Sequence, residues 1–187
     1  MTGLEALAPT QKDLIVALPY RVGLWVSKSD LTGGAESSAQ ELQALSNILH
    51  AFSEDVFGSA LVQHVMHETL ARKDLWPAWA VDLESVPREC AAAYEALREH
   101  FEEKEVKVYA LRLMEIAEAV ALAFREAPQA GGAGAMASVY LQYLKAFIGA
   151  RIQKRPLRSL EQFLSVSPQE RKTMRQIASA LRTDSPF

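Results

Sequence analysis

The chain has 187 residues, a length that one hydrophobic core can serve without a disulfide or structural metal. Its composition is 49% hydrophobic with only 9 Gly and 8 Pro, which favours helices over a turn-rich β architecture. A formal net charge of -3 gives no electrostatic ground for a nucleic-acid partner, and the lone Cys90 excludes an intramolecular disulfide.

Residues 1–9 show no charged-then-apolar leader, so the expected location is cytoplasmic. Leu14, Ile15, Leu18, Val22, Trp25 and Val26 recur at spacings of three and four, which predicts a helix over 11–28 with one broad apolar face. Pro19 should kink that helix or split it. The stretch from Ser29 to Glu36, with Gly33 and Gly34, reads as a loop. A second helix over 38–52 carries Leu42, Leu45, Ile48, Leu49 and Phe52 on one face, and a third over 56–72 carries Leu61, Val62, Val65, Met66 and Leu70. Residues 73–87, with Trp76, Pro77 and Trp79, read as irregular chain covering helix ends.

A fourth helix starts near Pro87 with Ser85 as its expected N-cap, and a fifth over 103–125 aligns Val106, Tyr109, Leu113, Ile116, Val120 and Phe124. A run around residues 117–122 is interrupted by Glu115, Glu118 and Arg125 and falls far short of the ~20 apolar residues of a transmembrane segment. A second glycine turn at 129–134 precedes a sixth helix over 136–152. Ser167, Pro168 and Glu170 form a capping box that opens a last helix to about Leu181. The expected fold is all-α: one helical domain over 1–187, a bundle of about seven helices.

Two parts of the chain look like copies of one helical hairpin, over about 11–52 and 103–152. Leu18-Pro-Tyr-Arg-Val-Gly-Leu-Trp-Val26 lines up with Ile116-Ala-Glu-Ala-Val-Ala-Leu-Ala-Phe124, and Gly33-Gly34 with Gly131-Gly132. After a one-residue insertion, Leu42, Leu45 and Ile48 match Leu141, Leu144 and Phe147. Two amphipathic helices joined by a glycine turn would also resemble each other merely by obeying the same periodicity. A true repeat would let two hairpins, each with an apolar face it cannot bury alone, close one core between them.

The first hairpin resembles the tellurite-resistance TerB family, in which an apolar helix ends in an acidic residue and glycine and a glutamate opens the next helix before a Leu-x-x-Leu pattern. Here those positions read Ser27-Lys-Ser-Asp30, then Gly33-Gly34, then Glu41-Leu-Gln-Ala-Leu45. This sequence departs from the pattern in having Leu31 after the Asp, a longer loop and no acid at the second glycine turn. The resemblance implies an all-helical fold with two pseudo-symmetric hairpins and a divalent-cation site in a stress-response or signalling setting.

Asp30, Glu36 and Glu41 surround the first glycine turn, and hard cations such as Ca²⁺ or Mg²⁺ take carboxylate oxygens from such loops. The spacing is not that of an EF-hand. The simpler alternative gives Asp30 an Asx turn and sets the glutamates against the next helix dipole. A divalent cation is the one cofactor the pattern admits. His64 and His67, with Glu68 adjacent, share one helix face and could hold Zn²⁺ or Fe²⁺, although the border of a buried face explains them more simply. Glu115 and Glu118 read either as buried acid–base groups or as a solvent-side stripe. Cys90 reads as a packing residue, and Lys145, Arg151, Lys154, Arg155 and Arg158 as complements to a helix C-terminus. The favoured function is a non-enzymatic interaction or regulatory module with a protein partner, for which Trp25, Trp76 and Trp79 are the exposed docking residues to test, with a homo-oligomer also open. The competing class is a divalent-metal-binding protein or metal-dependent enzyme.

Overall fold

A computed structural model of the chain describes residues 3–29, 35–54, 59–123 and 168–183. In chain order the helices are α1 (Pro9–Ser29), α2 (Ala35–Ser53), α3 (Ala60–Ala71), the single-turn α4 (Trp76–Trp79), α5 (Val86–His100), α6 (Glu103–Ala123) and α7 (Pro168–Ala180). No strand occurs among the described residues, so the fold is all-α as expected. No helix among them is long and apolar enough to cross a membrane.

The centre of the bundle is α1, which packs against α2, α3, α5, α6 and α7. From Ile15 to Ser27 every residue except Trp25 is buried, so its middle is enclosed all round rather than on one face. Ile15, Leu18 and Val22 do form the expected stripe, but Val16, Tyr20 and Leu24 on the other side are buried too. Gly23 allows the tightest approach: a Cβ there would overlap Leu45 Cδ1 of α2 and stand 3.4 Å from Ile116 and Val120 of α6.

Pro19 does not split this helix, and the neighbouring helices show why. Proline has no N–H to donate to the carbonyl four residues earlier, here that of Ile15. The Tyr109 hydroxyl, from α6, donates to that carbonyl at 2.9 Å in the interior, taking the place of the missing backbone donor. One residue on, Thr69 Oγ1 of α3 lies 2.6 Å from the Val16 carbonyl and 2.8 Å from that of Val65 in its own helix, sharing its single proton between them. Burial raises the Tyr109 phenol well above its ordinary pKa, so it remains a neutral donor.

The other helices follow their sequence signals closely. On α2, Leu45, Ile48, Leu49 and Phe52 are buried as expected, whereas Leu42 stands 41% exposed. Ser59 caps α3 by accepting from the Val62 N–H at 3.1 Å. Val106, Tyr109, Leu113, Ile116 and Val120 are buried along α6, and Phe101 ends α5 in extended backbone with its N–H on the Leu97 carbonyl at 2.8 Å. Pro168 opens α7 as expected, while Ser167, the other half of that capping box, lies outside the described residues. So does most of the second hairpin, including Gly131, Gly132, Leu141, Leu144 and Phe147. Of the matched pairs, Val22 and Val120 are both described and both fully buried.

Candidate functional site

The connection from α3 to α5 is not irregular throughout, since it folds as a 3₁₀ turn (Lys73–Leu75), α4 and a second 3₁₀ turn (Leu83–Ser85). We call residues 73–85 the strap. Its two tryptophans turn towards the core. Trp76 stacks on Tyr20 of α1 with ring centroids 4.5 Å apart, and its indole N–H donates to the Thr69 carbonyl at 3.1 Å. Trp79 packs against the same tyrosine at 6.3 Å. Trp25, Trp76 and Trp79 are all half-buried against the core, which corrects the expectation that they are exposed docking residues. The exposed apolar residues are their neighbours: Val81 at 66%, Leu75 at 40%, and Pro77 and Ala78.

The strap is held by Arg21, which projects from the buried middle of α1 and is only 7% exposed. Its Nε donates to Glu89 Oε2 at 2.7 Å and its Nη2 reaches Glu89 Oε1 at 3.1 Å, a two-pronged pair with α5. Nη1 donates to the carbonyls of Trp79 and, at 3.0 Å, of Val81, while Nη2 also reaches the Asp82 carbonyl at 2.9 Å and Ser85 Oγ at 3.1 Å. A guanidinium has five N–H groups in a fixed fork, and here acceptors surround all of them. Such saturation allows the cation to be buried, since an unpaired buried charge costs several kcal/mol, on the order of 3–5. Asp82 sits in the left-handed region at φ 49°, a conformation costly for a residue with a side chain, and Arg21 and Ser85 Oγ both bind its carbonyl.

Ser85 thus works differently from the expected N-cap. It makes no side-chain cap bond to α5, and its hydroxyl lies 2.8 Å from Glu89 Oε1 and 2.6 Å from the Asp82 carbonyl within the arginine cluster. Local sequence pattern singles out neither Arg21 nor Glu89. A signal was present: Arg21 is the one charged residue between Asp13 and Lys28, with no acid within four positions, so a helix could not pair it locally.

The other candidates fall out as follows. Asp30 lies outside the described residues, and Glu36 and Glu41 are placed only as backbone on α2. His64 and His67 share α3, but Glu68, the carboxylate beside them, is drawn to Arg72, which donates to it at 2.8 Å and to Asp13 at 2.7 Å. His64 Nε2 stands 4.0 Å from the other Glu68 oxygen. Among the described residues no three His, Cys, Asp or Glu side chains gather as a metal site. Glu115 and Glu118 do not form a solvent-side stripe. Glu115 pairs with the buried Arg112 at 3.3 Å, and that guanidinium lies 4.7 Å above the Phe52 ring. Desolvation pushes the Glu118 carboxyl up to about 7. Cys90 is buried, and burial with Glu89 nearby raises its thiol far above the reactive range, consistent with a packing role. No family model, no curated protein and no solved structure matches this chain.

Proposed function

We propose that the chain is a non-enzymatic protein-interaction module whose contact surface is the strap. The observation that carries this reading is the combination of exposed apolar residues, Leu75, Pro77, Ala78 and Val81, with a backbone fixed from beneath by a saturated buried arginine. Apolar side chains on a pre-ordered backbone bind with little entropy lost on docking, and that is how rigid contact loops gain affinity. The TerB-like relation of the two hairpins stands beside this reading, supported by the burial of Val22 and Val120 at matching positions.

A photo-reactive residue at position 81, in cells that make the protein, tests it against the same residue at the exposed position 104. A discrete adduct at 81, absent at 104 and lost when Leu75→Asp is added, is the expected result. An adduct of twice the chain mass would assign the partner as a second copy. Equal labelling at both positions, or none, would refute the reading.

A further inference from the structure

The strap begins at Lys73, and this residue ties it to α2. Lys73 Nζ donates to His50 Nε2 at 2.8 Å and to Ser46 Oγ at 3.2 Å, and it lies 5.4 Å from the centroid of the Trp76 ring. Ser46 and His50 are four positions apart on α2 and so share one side of that helix. An ammonium group has three donors and no acceptor. His50 Nε2 must therefore accept, which puts the ring proton on Nδ1 and leaves the imidazole neutral.

A neutral base is an unusual partner for a lysine. Lys107, by contrast, pairs with the Glu103 carboxylate, which raises its pKa and holds the proton on nitrogen. Among the described residues no carboxylate pairs with Lys73. A lysine must lose a proton before it can act as a nucleophile, and here a base stands 2.8 Å from that proton. Burial, and then the charge of Lys73, hold the His50 imidazole below its ordinary 6.5, with Glu54 acting the other way. Both Lys73 and His50 are exposed, so a small electrophile can reach the pair.

We propose that Lys73 is a site of acylation by a small activated acyl donor, an acyl phosphate or a thioester, with His50 as general base. His50 takes one proton from Nζ and passes it to solvent. The free amine turns about its Cε–Nζ bond and attacks the acyl carbon. The N–C bond forms, the C–O or C–S bond breaks, and a second proton leaves with the phosphate or thiolate. The amide product removes the cation from the Trp76 ring and keeps one N–H, so Lys73 can no longer serve His50 and Ser46 together. The inference goes beyond the strap as a contact surface and does not depend on it.

Acetylation of the purified chain at pH 8 tests it, with acetyl phosphate and acetyl coenzyme A in separate arms and mass spectrometry reading the rate at each lysine. Lys73 should react at least about fivefold faster than the exposed Lys104 in one arm or both, and the arms identify the donor. His50→Gln, which cannot take up a proton, should bring Lys73 down to the rate of Lys104 while circular dichroism stays that of the parent. The ratio of the two rates should also fall as pH drops from 8 to 5.5, because a protonated imidazole is no base. Equal rates at Lys73 and Lys104 in both arms, an undiminished rate in His50→Gln, or a ratio that ignores pH would each overturn the proposal.

Discussion

Helices α1 and α6 are the same length, 21 residues, and lie side by side in the core, yet they are built on opposite principles. In the aligned segments, α1 carries Pro19, Tyr20, Arg21 and Gly23 where α6 has Ala117, Glu118, Ala119 and Ala121. Alanine gives α6 a regular backbone that satisfies itself. The middle of α1 cannot do so: its proline leaves a carbonyl short of a donor, its arginine needs acceptors, and its glycine leaves a gap for Leu45 to fill. Each need is met by a residue far away in sequence, so α1 ties α2, α3, α5, α6 and the strap into one unit. A central helix that is defective alone specifies its partners more sharply than a perfect one would.

The largest effect should come from breaking the arginine cluster. Arg21→Met keeps much of the side-chain volume but removes the charge opposite Glu89 and the arginine's bonds to the Trp79, Val81 and Asp82 carbonyls, and urea unfolding should show a loss of about 3–5 kcal/mol. Met at position 21 together with Leu at 89 should recover a good part of that, because the orphaned carboxylate is gone. If the single change costs less than about 1 kcal/mol, the cluster is not holding α1 to α5.

A smaller effect is expected at the proline repair. Tyr109→Phe deletes only the hydroxyl that donates to Ile15, and should cost about 1–2 kcal/mol. In a Pro19→Ala background the restored N–H can serve the same carbonyl, so the second substitution should then cost clearly less. Additive costs in this double-mutant cycle would show that Tyr109 is not standing in for the proline's missing donor.

The pairing of α1 and α6 also explains how much the sequence could reveal. Helix positions and most of the core, such as Leu45, Val65, Leu113 and Val120, follow from a periodicity that each segment carries by itself. Leu42 obeys the same period but ends exposed, because the period alone does not say where the neighbouring helices stop. The strap reads as irregular in sequence because its short turns depend on Arg21, some sixty residues earlier. Pro19 reads as a kink or a break because the donor that rescues it lies on α6. What escaped the sequence is therefore the set of long-range polar contacts, which no local pattern encodes.

The one pH-dependent effect among these concerns Glu118, the place where α6 departs from its own regularity. Burial raises this carboxyl from an ordinary 4.5 to about 7, so the folded state binds more protons than the unfolded state between those values. Its contribution to stability is intact below about pH 4.5 and declines as pH rises through 7. Glu118→Gln mimics the protonated form, so it should match the parent in acid and exceed it at pH 8. Parallel pH profiles for the two proteins would contradict the assignment.

The measurement closest to the central claim is amide hydrogen exchange on Arg21→Met, comparing the amides of Ala80 and Ser85 on the strap with those of α6. Both strap amides are hydrogen-bonded, to Trp76 and Asp82 carbonyls at 3.0 and 3.3 Å. If Arg21 orders the strap, protection at these two sites should drop by at least about tenfold more than protection across 106–120 of α6. A uniform loss across the strap and α6, or no change at the strap, would mean that the strap owes its order to something other than the arginine beneath it.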